Sequence, residues 1–502
     1  MSIFYDNIVA LSVSLLTCAF AWLYGGIVGK ALYPTIPWLT LLLLEVMLCF
    51  PQRHSGESTY HARSRVWRHM KADPVMWVSL AFSALLLIPF VNTALCPVCD
   101  AKAIAAGASV SAPVPFLPSC VNRLHHLNVV TWFIPSLVAL LAVRHSLLKR
   151  GKRTVLEMVV WNGFVLAILG FVQNVTKAQA PLWSDIFGDA RAYFFSTFGY
   201  PNMAGDYFTT LFALAIGLWR WRFDAIRREE MTSHHNGKMK SGPGSFWRKH
   251  YMMIPAVVFF FAALTTLSRA AIILVTLLAI VFFMHTFVSV FVTLSKAKRA
   301  KASAASLFAM VGIAMFAMFF TPDDLQKEVD TIGTEAVLDR VTGKGQYHNR
   351  VAFEVFKDYP LFGCGGWSYM HLCVAKMRDD ETLQKIGGAN VHNDHLQFMA
   401  EHGAVGYACL VAIVLMVLWP LGRIWRVLVD SIRFTPPKLQ PPKPVAIFAL
   451  PAPVFCILMA AFATFVHAFG DCPLRSPAVL SLFFIELAAM DGFLPVLRES
   501  NQ

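Results

Sequence analysis

"NVHNDHLQFMAEHGAVGYACLVAIVLMVLWPL" runs from Asn390 to Leu421. Its first half is polar and carries His392, His395 and His402 with two carboxylates, Asp394 and Glu401. Its second half, 404–421, has no charged residue and is long enough to cross a bilayer as a helix. A polar cluster placed at the mouth of an apolar span needs a membrane beside it and chemistry in front of it.

Working outward, the same kind of apolar run recurs near 7–24, 31–50, 75–94, 127–143, 154–173, 202–219, 251–267, 271–292, 303–320, 445–466 and 478–495. With 404–421 this makes twelve expected transmembrane helices. The composition agrees: 57% of the 502 residues are hydrophobic, 15% are charged and the mean hydropathy is +0.56, outside the range of ordinary soluble domains. The first run has no small-residue cleavage site and is followed at once by a second, so it reads as a retained helix. The expected fold is therefore an all-α polytopic membrane protein, one integral membrane domain over 1–502. A large helical loop, 321–403, is inserted between predicted helices nine and ten. A connection of that length points to a folded unit with a function.

The net charge of +13 invites a nucleic-acid reading, which its distribution opposes. With alternating helices and an inside N-terminus, the inside loops 51–74, 144–153, 220–250, 293–302 and 422–444 hold 27 Lys and Arg, against 15 outside. That is the positive-inside pattern, and it puts both termini in the cytoplasm and the polar cluster outside. The basic excess then faces anionic lipid. No basic stripe interleaved with aromatics supports nucleic acid. Cys96, Cys99, Cys120, Cys364, Cys373 and Cys472 fall outside, where disulfides can form, but sequence does not give a pairing. The pair Cys96–Cys99 lacks a second half for a zinc site.

Three outside segments are substantial: 95–126, 174–201 and 321–403. In the last, "HNRVAFEVFKDYPLFGCGGWSY" (348–369) reads as an Asn-capped amphipathic helix with Val351, Phe353, Val355 and Phe356 inward. Pro360 stops it, and Gly363, Gly365 and Gly366 permit a tight turn. A second helix is expected from about Asn393 through Gln397 and Glu401. In that helix His392, His395 and His402 would share roughly one face.

One reading of the cluster is a solvated helix start capped by Asn and Asp. Another is a metal site from His392, His395 and a carboxylate, although the HExxH order is missing. The reading that explains most takes His392 as a general base, because an unperturbed imidazole near about 6.5 suits proton removal from a hydroxyl. Asn393, Asp394 and Gln397 then orient it or bind substrate. Arg191, Arg269 and Arg350 lie outside and together can clamp a phosphate by bidentate contacts, the plain alternative being snorkelling to headgroups. Arg269 sits in a tight hairpin between predicted helices seven and eight. Asn202 and Asp206 open helix six, Asn202 reading equally as a cap or a cavity-lining group. His467 and Asp471, in the last outside turn, are candidates to complete the site. Glu45 lies within helix two, with a place in the bundle interior as its expectation.

Nucleotide-activated donors and ATP are not normally available on the outer face. A transferase there needs a lipid-borne activated donor, for which a polyprenyl diphosphate-linked glycan fits. Diphosphate is a good leaving group, so one base with arginines suffices. The pair of carboxylates usual in glycoside hydrolysis is not needed, nor is a metal or other cofactor.

The segments "STFGYPNMAGDYF", "TLSRAA", "YHNRVAFEVFKDYPLFGCGGWSY", "NVHNDHLQFMAEHGAVG" and "HAFGDCPLRSP" together resemble the O-antigen ligase and polymerase superfamily, most of all the ligases, over roughly 150–490. The resemblance implies about twelve helices with a large periplasmic loop, similar to the GT-C-like membrane glycosyltransferases. It implies a bacterial inner-membrane enzyme with a periplasmic site, moving O-antigen from undecaprenyl diphosphate to lipid A-core. It matches His392 to the motif base and Arg191 and Arg269 to diphosphate-binding arginines, with Arg350 a looser match. O-antigen polymerases and protein O-oligosaccharyltransferases share the donor and remain alternatives. A polysaccharide or lipid transporter is a further one, opposed by the scarcity of ionisable groups at helix centres.

Overall fold

The computed structural model describes residues 2–26, 34–93, 113–114, 116–184, 194–235, 244–293, 344–377, 390–434 and 450–494. Arg191, Cys96, Cys99 and the predicted helix 303–320 lie outside these residues. The described chain is helical. Its only β features are the isolated bridges Thr93–Cys120 and Phe195–Phe198.

In chain order the helices are α1 Ser2–Trp22, α2 Ile36–Cys49, α3 Thr59–Ala72, α4 Pro74–Leu87, α5 Arg123–Leu141, α6 Lys149–Val175, α7 Pro201–His235 and α8 Gly244–His250. They continue with α9 Met253–Thr265, α10 Arg269–Thr293, α11 Lys344–Asp358, α12 Tyr369–Met377, α13 Asp394–Phe434, α14 Ala452–Gly470 and α15 Pro477–Ala489. Five described spans are each long and apolar enough to cross a membrane, and the bent pair α3–α4 makes a sixth. α1 and α2 add shorter apolar helices. The outward faces are apolar as well: Leu15, Leu41, Val165, Ile168, Val257, Leu277, Leu415 and Phe462 are all exposed. Isolated surface leucines need no explanation, but faces of them on long helices belong against lipid. The chain is thus a multi-pass helical membrane protein.

Hydrogen bonds define the two ends of the bundle. At one end, Ser476 Oγ donates to Gly25 O (2.7 Å), Thr197 Oγ1 to Ala21 O (2.6 Å) and the Val121 amide to Ser368 Oγ (3.0 Å). At the other, the Gln52 amide donates to Ser146 O (2.9 Å) and Lys149 Nζ to Leu494 O (2.5 Å). α10 leads away from the first end, and α11 lies at it. Between the ends, a continuous apolar core joins α1, α5, α6, α7, α9, α14 and α15.

A second, smaller core sits at the first end, where Val351, Ala352, Val355, Cys364, Tyr369, Cys373, Val391 and Ala400 pack together. This corrects the expected face of α11. Its buried positions are His348, Val351, Ala352 and Val355, a run of i, i+3, i+4 and i+7, while Phe353 is exposed. The helix also begins earlier, at Lys344, so Asn349 is interior and not its cap. Glu45 faces out of α2 and not into the bundle.

The opening stretch folds in two pieces. α13 is broken at Gly403, whose φ of 67° and ψ of −177° only glycine adopts readily. The loop 360–365 stitches the break. The Cys364 and Gly365 amides donate to Ala400 O and Glu401 O, both at 2.9 Å. The Ala404 and Val405 amides donate back to Pro360 O (2.8 Å) and Leu361 O (3.1 Å). The backbone groups orphaned at a helix end are thereby satisfied. The approach demands two glycines: a Cβ on Gly363 would lie 2.3 Å from Glu401 C, and one on Gly403 2.3 Å from Leu361 C.

Candidate active site

His392 precedes the helix and does not belong to it. Asn393 is the cap, its Oδ1 accepting from the Leu396 amide at 3.2 Å. His392 adopts φ 56°, a left-handed conformation unusual for a non-glycine residue. A chain of buried polar groups holds this backbone. The Val391 amide donates to Gln397 Oε1 (2.9 Å), and Gln397 Nε2 donates to Glu401 Oε1 (3.1 Å). Glu401 in turn pairs with Arg475 at 3.1 Å, both side chains at most 2% exposed. Arg475 also lies over the Trp367 ring, 4.9 Å from its centroid. A buried pair of this kind persists only when its hydrogen bonds are satisfied.

The His392 side chain turns to Asp471, with Nδ1 3.2 Å from Oδ1. The imidazole is 44% exposed and the carboxyl fully buried. Asp471 follows the end of α14 and is surrounded by donors. Tyr200 OH lies 3.1 Å from Oδ1, the Cys472 amide donates to Oδ1 at 2.8 Å, and Asn202 Nδ2 donates to Oδ2. Donors on this scale favour an ionised carboxylate. Facing a carboxylate, Nδ1 carries the proton, which leaves the Nε2 lone pair on the open side of the ring. His348 lies edge-on to His392, ring centroids 6.2 Å apart. Burial, followed by the charge of His392, holds the His348 imidazole below its ordinary value. Burial and the Asp471 carboxylate push the Tyr200 hydroxyl up, so it remains a donor.

The other candidates divide. Asn393 and Gln397 support the His392 loop. Asp394 is buried and ties α13 to the last turn: its Oδ2 accepts from the Leu474 amide (2.7 Å) and its own amide donates to Asp471 O (3.3 Å). Asn202 joins the site through Asp471. Asp206 and His467 pair with each other at 2.9 Å, Thr464 donating to the same carboxylate at 2.8 Å, and they form a separate buried cluster. Arg269 opens α10 and is exposed. The first turn of α7 carries Asn202 and lies close against this hairpin, because a Cβ on Gly205 would stand 2.5 Å from Ala271 Cβ. Arg350 is exposed on α11, two positions from His348, and i,i+2 residues do not share a face.

The histidines do not converge. His395 Nδ1 is 3.0 Å from Tyr407 OH and its Nε2 3.2 Å from Phe465 O, while His402 is buried among Phe82, Phe133 and Phe398. The metal site expected as an alternative from His392 and His395 is therefore not assembled. A different trio, His392, Asp471 and Cys472, offers ligand atoms within 4.8 Å of one another. Burial and Asp471 push the Cys472 thiol well up. This donor set suits an imidazole–carboxylate hydrogen bond better than an ion. Among the described residues Cys364 and Cys472 are free thiols.

Sequence reasoning missed His348, Tyr200 and the Glu401–Arg475 pair. The i, i+3, i+4, i+7 run beginning at His348 was a usable signal. Tyr200 and Arg475 had none beyond their place in outside turns.

The described helices form a multi-pass membrane bundle that carries at one end an exposed imidazole held by a buried carboxylate. Residues 254–411, about a third of the chain, match the family model for O-antigen ligase, so that segment is similar to this family. The matched segment contains Arg269, Arg350 and His392; Asp471, Tyr200 and Asn202 come from outside it. No curated protein matches the chain.

Proposed function

We propose that the protein is an O-antigen ligase of the bacterial inner membrane, moving polysaccharide from undecaprenyl diphosphate to a hydroxyl of lipid A-core on the periplasmic face. The observation that carries this reading is the exposed His392 imidazole fixed by the buried Asp471 carboxylate. In the proposed step the acceptor oxygen attacks the anomeric carbon. Its proton passes to His392 Nε2, the bond from carbon to diphosphate oxygen breaks, and the electron pair leaves with the diphosphate. Asp471 holds the tautomer and stabilises the imidazolium that forms. Arg269, with Arg191, binds the diphosphate and offsets its growing charge. The step needs neither ATP nor a metal. The basic residues gathered at the opposite end, among them Arg65, Arg144, Lys149 and Lys152, support a periplasmic position for His392.

The test is reconstitution with EDTA and without nucleotide. Product on lipid A-core supports the ligase. Donor that lengthens without lipid A-core identifies a polymerase instead, and transfer only to a polypeptide identifies a protein glycosyltransferase.

A further inference from the structure

At the end of the bundle opposite His392 is a cavity of about 830 Å³. It is open to one side and lined by α3, α4, the turn after α5, α13 and α15. Arg65, Arg68, His69 and Arg144 form its polar side, and Val417, Leu421 and Leu487 its apolar side. The two acids in its wall are already occupied: Asp73 pairs with Arg144 and, at 3.2 Å, with His145, and Asp491 pairs with Lys152 at 2.6 Å. Arg65 is held by Glu57 at 3.0 Å. Arg68 pairs with no acid among the described residues and is exposed. The lining therefore presents an uncompensated guanidinium and a histidine beside an apolar wall.

Its setting is interfacial. α3 meets α4 at 71°, so it turns away from the spanning direction. It buries Ala62, Val66 and Met70. Tyr60 and Trp67 on α3, and Trp77 just beyond it, are exposed, the placing of aromatics at a headgroup layer.

We propose that this cavity binds the phosphate and proximal acyl carbons of an anionic phospholipid from the leaflet on that side. The phosphate is the shared chemistry, and the apolar wall assigns its source to lipid and not to free phosphate. Arg68 takes the phosphate and His69 lies beside it, while Val417, Leu421 and Leu487 receive the chains. Fixing α3 against α13 and α15 in this way does not involve His392.

Native mass spectrometry of the purified protein in neutral detergent tests this, with phosphatidylglycerol in one arm and inorganic phosphate in another. The wild type should retain phosphatidylglycerol, and Arg68→Gln should weaken retention about fivefold, the effect of one interfacial arginine on anionic lipid. Ala488→Phe, which places a ring against the apolar side of the cavity, should also weaken retention, while Arg68→Gln keeps wild-type transfer activity. Equal retention by the wild type and both variants would overturn the proposal. Inorganic phosphate bound as tightly as the lipid would overturn the lipid assignment.

Discussion

His392 Nδ1 and Asp471 Oδ1 stand 3.2 Å apart across 79 positions of sequence. The first belongs to the polar stretch before a long helix, the second to the turn before the last helix. The exposed ring is thus held by a fully buried side chain.

Asp471→Asn should lower turnover by about 10²- to 10⁴-fold, the usual worth of positioned general-base catalysis. An amide can donate to Nδ1 and so hold the wrong tautomer. Donor KM should change little. Equal loss in kcat and in donor affinity, read from single-turnover kinetics, would make Asp471 a structural residue only.

Arg475→Met alone should destabilise the protein by about 3–5 kcal/mol, because it strands Glu401 without a counter-charge. The double variant Glu401→Gln with Arg475→Met should recover most of this. Thermal unfolding in one detergent checks both, and a double variant as unstable as the single one would refute the account of this pair.

Gly403→Ala should cost stability and activity together. A backbone at this positive φ with extended ψ penalises any side chain by about 1–3 kcal/mol, and the new Cβ meets the Leu361 backbone. Gly56 is the control: its φ is 80° but no atom lies within 4 Å of its added Cβ, so Gly56→Ala carries the backbone penalty alone. Equal effects at the two positions would show that the loop 360–365 does not press on the break.

Acid should loosen the unit around α11 and α12. Burial holds both His348 and His371 below the ordinary imidazole value. The unfolded chain therefore takes up these protons first, at about 6.5. The stability contributed is complete above that pH and is lost as the pH falls through it towards the lower folded values. The unfolding midpoint should drop between pH 7.5 and 5.5, and drop less in His348→Gln. A flat midpoint would contradict this.

Much of this was legible in sequence because hydropathy is a local property. The runs that became α5, α6, α7, α10 and α14 need only their own residues to be recognised. Asn393 as a cap and Pro360 as a stop are local signals too. The failures are all non-local. Gly403 reads as one more small residue entering an apolar span, and only the loop bonded to it makes it a break. Asp206 and His467 both stood out, yet they satisfy each other instead of His392. Phe353 was assigned inward on hydrophobicity, but the buried face of α11 is set by its packing against α13. Asp471 was a candidate, but no spacing rule reaches from 392 to 471.

The most direct test compares wild type with His392→Ala in single-turnover transfer from lipid-linked O-antigen to lipid A-core, with donor binding measured in parallel. The account predicts that the variant binds donor as the wild type does and forms no product on the wild-type timescale. Product at the wild-type rate would contradict it and remove His392 as the base.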